Sequence, residues 1–155
     1  AFVGPYMNSG KCLVTKDEAL GKAQESQNLN APETRLARLK GSTSEDFVRG
    51  LFSQTTIITV GDYTEAANMV KNDQVGGLLT DYPICLAMLK KYPDAGFISL
   101  FSLLSYEPIG IAIPGNDPLY INWTENFLQR VDGTGLLEEL AVRWFGRPIS
   151  EDDDE

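Results

Sequence analysis

Hydrophobic and polar positions change period several times along the chain, and each change marks an expected element. Thr55-Thr56-Ile57-Ile58-Thr59-Val60 is β-branched throughout, which suits a strand. Arg35 to Lys40 alternates apolar and basic residues, with Leu36 and Leu39 flanking Ala37, and reads as a second strand. Val75 to Thr80, bounded by Gly76-Gly77 and Asp81, reads as a third. Between these runs the period lengthens. Glu45 to Phe52 carries Phe47, Val48, Leu51 and Phe52 at i, i+1, i+4 and i+5, the spacing of a helix face. Asp62 stands as an N-cap before Tyr63, Ala66, Ala67 and Val70, with Glu65 at the reciprocal capping-box position. Pro83 opens another helix through Leu86 and Leu89.

That order is βαβαβα, which predicts an α/β fold with a mostly parallel sheet and helices on both faces. Ligands on such sheets bind beyond the carboxyl ends of the strands. Gly41-Ser42-Thr43 and Asp81-Tyr82 both lie at such ends, so two loops are expected to line one crevice. Two helices lie outside this alternation. One starts at Asn116-Asp117-Pro118 and spaces Leu119, Trp123 and Phe127 at i, i+4 and i+8; the other spaces Leu136, Leu140 and Trp144 alike and stops at Gly146 and Pro148. Trp123, Phe127, Trp144 and Phe145 are too many aromatics for a free surface, so a partner or chain exchange is expected to cover them.

Composition narrows the function. At 155 residues and 43% hydrophobic, the chain can bury one sizeable core. Of the net charge of -9, five acids close the chain at Glu151–Glu155, where a solvated, disordered tail is expected. No basic stripe is present, which excludes nucleic acid as a partner. No apolar run reaches the roughly 18 residues of a membrane span. Ala1-Phe2-Val3 begins on a strand with no charged leader before it, so a fragment or processed form is expected. The chain has no histidine, which removes the usual general base and the commonest zinc ligand together. No catalytic residue, metal or cofactor is therefore expected. Cys12 and Cys85 permit one disulfide; two buried reduced thiols are the simpler expectation, because a domain of this size needs no staple.

The binding chemistry has two candidates, each with a bland alternative. Gly41-Ser42-Thr43-Ser44-Glu45 puts a sharp turn, two hydroxyls and free N–H groups at a helix start, which suits a carboxylate. The same residues also fit an ordinary capping box of Ser42 with Glu45. Asp81 either caps the helix that follows or accepts hydrogen bonds from a ligand ammonium. Leu39, two residues before Gly41, is either core or a ligand contact.

Four segments in order extend this reading: Phe2-Val3-Gly4-Pro5-Tyr6 through Ser9-Gly10 into Lys11-Cys12-Leu13-Val14; Leu36 to Glu45; Gly77-Leu78-Leu79-Thr80-Asp81-Tyr82-Pro83 with Tyr106 to Ile113; and Asp132 to Gly146. In this order the chain resembles the extracellular solute-binding proteins of family 3, the amino-acid receptors of bacterial ABC importers. The resemblance implies a type II periplasmic binding protein fold lacking the N-terminal part of lobe 1. Residues 11–108 would then form lobe 2, residues 1–10 and 109–147 the crossover strands and the C-terminal part of lobe 1, and residues 148–155 the acidic tail. The crossover strands Lys11–Thr15 and Ile109–Ile113 are expected beside Val75–Thr80.

By the same resemblance, Gly41, Ser42 and Thr43 hold the ligand's α-carboxylate and Asp81 takes its α-amino group, with Leu39 and Tyr82 nearby. Tyr6 lines either the cleft or the hinge. The family's carboxylate-clamping arginine, upstream of the crossover, has no match here. The implied protein is no enzyme. It binds an amino acid or similar polar solute between two lobes, works with a membrane permease, and is periplasmic or extracellular, with a lipoprotein anchor as an option. The alternative is a ligand-sensing domain of a receptor or sensor kinase of the same fold, and behind it a dehydratase- or transglycosylase-related protein. For this chain alone, a homodimer or a domain-swapped pair is expected.

Overall fold

Runs of β-branched and aliphatic residues set off by glycine, proline and aspartate give the order of elements. The computed structural model describes residues 1–100 and 104–146; the acidic tail expected at 148–155 lies outside the described residues. The first half runs β1 (Phe2–Ser9), β2 (Lys11–Thr15), α1 (Glu18–Gly21), β3 (Arg35–Leu39), α2 (Ser44–Leu51) and β4 (Thr56–Val60). It continues through α3 (Tyr63–Lys71), β5 (Gly77–Asp81), α4 (Tyr82–Lys91), β6 (Ile98–Ser99), β7 (Glu107–Ala112), α5 (Pro118–Gly133) and α6 (Leu136–Phe145).

Two compact units result: Gly10–Ser105, and Ala1–Ser9 with the chain from Tyr106 onward. The larger unit is built on a five-stranded sheet in the order β4, β3, β5, β2, β6. As the βαβ pattern requires, β3 runs parallel to both β4 and β5. β2 pairs antiparallel with β5, with Lys11 opposite Asp81 and Thr15 opposite Gly77. All five residues of β2 are buried, including its lysine.

Alternation along the strands supplies a core on each face of the sheet. Cys12, Val14, Ala37 and Leu78 pack with Ala66, Ala67 and Val70 of α3 and Cys85 and Met88 of α4. Leu13, Leu36 and Leu79 point the other way, onto Val48 of α2, Phe52 and Leu29. Close approach of β5 to β2 depends on Gly77, where a Cβ would meet the Leu13 side chain at 2.8 Å and the Val14 carbonyl oxygen at 2.9 Å. Helix α3 begins as read from the sequence, with the Asp62 carboxylate accepting from the Glu65 N–H at 2.8 Å. The Glu65 side chain reaches back one residue further than a standard capping box, to the Gly61 N–H.

Two expectations are corrected. Residues Ile109–Ile113 do not lie beside β5. Both edges of β5 are taken, by β3 and β2, and the strand there, β7, pairs antiparallel with β1 in the smaller unit, from Phe2 opposite Ala112 to Ser9 opposite Glu107. The cysteines are not reduced thiols either: Cys12 and Cys85 form a disulfide, with Cα atoms 6.5 Å apart. Helix α4 folds back over the sheet from the end of β5, and this lays Cys85 over Cys12 in the same core cluster.

In the smaller unit α5 packs on β1 and α6 on α5. The aromatic stripe stays open: Leu119 is 82%, Trp123 61% and Trp144 65% exposed. Trp123 stacks between Tyr120 and Phe127, with ring centroids 6.3 and 5.4 Å away.

An ion pair fixes α2 to the sheet. Arg38 of β3, 14% exposed, sits 3.0 Å from the Glu45 carboxylate, which Arg49 flanks at 3.6 Å. The Arg38 hydrogen bond and charge hold the Glu45 carboxyl below the usual carboxylate range. A depressed folded pKa adds stability above the unfolded value, and the contribution is lost as pH falls through the folded one. The Glu45 carboxyl, followed by NMR, should therefore titrate below an ordinary glutamate, and Arg38→Met should raise its midpoint; an unmoved midpoint contradicts Arg38 as the cause. The disulfide closes a loop of 73 residues, for which chain entropy alone suggests about 4 kcal/mol. Reduction, or Cys85→Ala, should lower unfolding stability in denaturant by about 2–4 kcal/mol, and a loss under about 1 kcal/mol would count against that role.

Candidate functional site

Three strand ends of the larger unit supply the site: the start of β2 and the carboxyl ends of β3 and β5. β3 ends at Leu39, half-buried, and the chain turns through Gly41 at φ 71°, a left-handed conformation that glycine adopts at least cost. A Cβ there would meet nothing within 4 Å, so backbone conformation and not crowding makes the demand. Ser42 folds back onto the strand end, its hydroxyl donating to the Leu39 carbonyl at 2.8 Å and its N–H to the same oxygen at 3.4 Å. The sequence alternative of a Ser42–Glu45 capping box does not form: the Ser42 hydroxyl is turned to Leu39, and the Glu45 carboxylate is held by Arg38.

Thr43 is the N-cap of α2, exposed and making no side-chain capping bond. Thr43 and Ser44 stand at the first turn, where no preceding helical carbonyl is in register to receive an N–H. The helix dipole and the first-turn N–H groups favour an anion at this point.

Asp81 ends β5 and is the N-cap residue of α4, yet its side chain makes no capping bond. Its carboxylate faces Lys11, whose Nζ donates to Asp81 Oδ1 at 2.5 Å and to Thr43 Oγ1 at 2.7 Å. The lysine side chain is 1% exposed and the aspartate 37%. One buried ammonium therefore ties the aspartate to the threonine, the two groups that the sequence reading set at neighbouring strand ends. Tyr82, next along, donates its backbone N–H to the Gly10 carbonyl at 2.9 Å and rests its half-buried side chain on the core cluster around Cys12. Tyr6 belongs to the other unit, where it is 40% exposed on β1 and lines an apolar groove with Leu140 and Trp144. Among the described residues, no group of three or more Cys, Asp or Glu side chains is placed to hold a metal, and no helix is long and apolar enough to cross a membrane.

Lys11 is the residue that the sequence reading missed. Its signal is a single base opening an apolar run, Cys12-Leu13-Val14, on a strand that proves to be central. A charge on a fully buried strand must find a counter-charge, and the residue opposite it in the ladder is Asp81.

No family model matches the chain. In sequence it is similar to the ABC transporter glutamine-binding protein GlnH of Bacillus subtilis (strain 168), 27% identical over 146 residues, which are 92% of this chain and 50% of that protein. The chain thus spans about half the length of this curated relative. In fold it is similar to the ancestral cationic amino acid solute binding protein AncCDT-1, with a TM-score of 0.80 and 27% identity over 94% of this chain and 62% of that one. AncCDT-1 is also described as a precursor of cyclohexadienyl dehydratase. A putative binding component of an ABC transporter from Wolinella succinogenes DSM 1740, complexed with lysine, matches with a TM-score of 0.79 and 30% identity, over 93% of this chain and 62% of its own. In sequence and in fold the chain is thus similar to amino-acid solute-binding proteins, with a type II periplasmic binding protein fold over the part of that architecture it spans.

Proposed function

We propose that Gly10–Ser105 acts as the second lobe of an amino-acid receptor and presents one side of the ligand envelope. The start of α2 receives the ligand's carboxylate, and Asp81 accepts hydrogen bonds from its ammonium. The observation that carries this reading is the Asp81 carboxylate, uncapped and part-exposed, paired with the Lys11 ammonium that also bonds Thr43 at the head of a helix. Thr43 and the leading N–H groups of α2 are the donors. Ser42 shapes the turn, because its proton is already given to Leu39. Gly41 sets the backbone, while Leu39 and Tyr82 flank the site.

The whole protein then serves as the substrate-binding component of an ABC importer, delivering an amino acid or a related polar solute to a membrane permease. Its place is the periplasm or the outer surface, with a lipid anchor as one means of retention. The three relatives named above are binding proteins, which favours this reading over a sensor domain. A chain without histidine lacks the commonest general base, which favours binding over catalysis, with the dehydratase link of AncCDT-1 as the standing alternative.

In the full-length protein, Asp81→Asn, which keeps an acceptor for Lys11, should remove a charge-assisted pair to the ligand and weaken amino-acid binding by about 2–5 kcal/mol, with circular dichroism confirming that the variant is folded. Calorimetry with the common L-amino acids measures this, and undiminished affinity in the mutant rules out the clamp. For the chain alone, the open stripe of Leu119, Trp123 and Trp144 supports association with a second copy, as a homodimer or a domain-swapped pair. Sedimentation at tens of micromolar should show a dimer; a clean monomer refutes it.

A further inference from the structure

Lys11 stands between Asp81 and Thr43, next to the place where the proposed function puts a ligand's ammonium on the part-exposed Asp81 carboxylate. It is fixed there by the sheet. Lys11 lies directly opposite Asp81 in the β2–β5 ladder. Its backbone N–H donates to the Ser105 hydroxyl at 2.8 Å, and its carbonyl accepts from the Leu104 N–H at 2.8 Å. A side chain 1% exposed on a central strand has little room to swing away when a ligand arrives.

Two chemical consequences follow. The Asp81 charge is compensated before any ligand binds, so a ligand without an ammonium leaves no unpaired carboxylate behind. The Thr43 hydroxyl, accepting from Lys11 Nζ, keeps its own proton to donate to an incoming carboxylate. The lysine thus strengthens the anion side of the site and loosens the demand on the cation side.

We propose that Lys11 is a specificity-determining residue that lets this site take 2-oxo and 2-hydroxy carboxylates alongside α-amino acids. The inference rests on the proposed amino-acid site and names the ligand class that this site admits. A site whose aspartate depends on the ligand's own ammonium would reject such analogues by about 10⁴-fold or more, because its buried polar group is left unpaired. An internal lysine removes most of that penalty.

The test uses the full-length protein and calorimetry with each common L-amino acid, its 2-oxo acid and its 2-hydroxy acid. For the tightest-binding amino acid, at least one analogue should bind within 100-fold. In Lys11→Met the gap between amino acid and analogue should widen at least tenfold. If the amino acid binds and both analogues are more than 100-fold weaker in the wild type, this inference is overturned and the amino-acid site stands. A gap unchanged in a folded Lys11→Met protein overturns it as well. If no carboxylate of any of the three kinds binds, the proposed site fails and the inference with it. The wild-type comparison decides the matter even where Lys11→Met does not fold.

Discussion

A lysine buried in a central strand imposes a condition that the rest of the larger unit is arranged to meet. Taking an ammonium out of water costs several kcal/mol unless a counter-charge and hydrogen-bond acceptors stand within reach. Lys11 has both, in Asp81 on the neighbouring strand and Thr43 at the head of α2. For those groups to meet, β2 must pair with β5 in one register, and the chain after β3 must turn tightly enough to bring α2 back to the same edge. A slip of one residue in that ladder would turn Lys11 to the opposite face and leave both charges unpaired. The pair therefore fixes register as well as charge.

The same arrangement relates fold to chemistry. Parallel strands β3 and β5 carry their loops to one edge, where helix starts gather. Gly41 turns the backbone, Ser42 closes the turn on Leu39, and Arg38 holds Glu45 so that α2 keeps its direction. The Cys12–Cys85 disulfide lies next to Lys11 in sequence and one helical turn beyond Asp81, so it ties together the two elements that bear the pair. Side chains that make no contact with the proposed ligand thus set the geometry of those that would.

Much of this was legible in the chain. β-Branching gave Thr56–Val60, the lengthened period gave α2 and α3, and aspartate at Asp62 gave a true cap. Those signals are local, and local energetics decide them. What was not legible depends on partners distant in sequence. β7 reads as a strand, but nothing within it says that both edges of β5 are already taken. The disulfide joins positions 73 residues apart, and only the fold-back of α4 brings them together. The capping box offered as the alternative for Ser42 does not form, because the competing acceptor, the Leu39 carbonyl, comes within reach only once the turn has formed. Lys11 was passed over because a lone base usually marks solvent, and its burial is a property of strand order alone.

The central claim is that a ligand's carboxylate and its ammonium are read at two neighbouring strand ends, on either side of Lys11. Amide chemical shifts in the isotopically labelled full-length protein test it most directly, by titration with the amino acid that binds most tightly. The account predicts the largest shifts at Thr43 and Ser44 and at Asp81 and Tyr82, saturating together at one affinity. Saturable binding that leaves all four amides unmoved would contradict it.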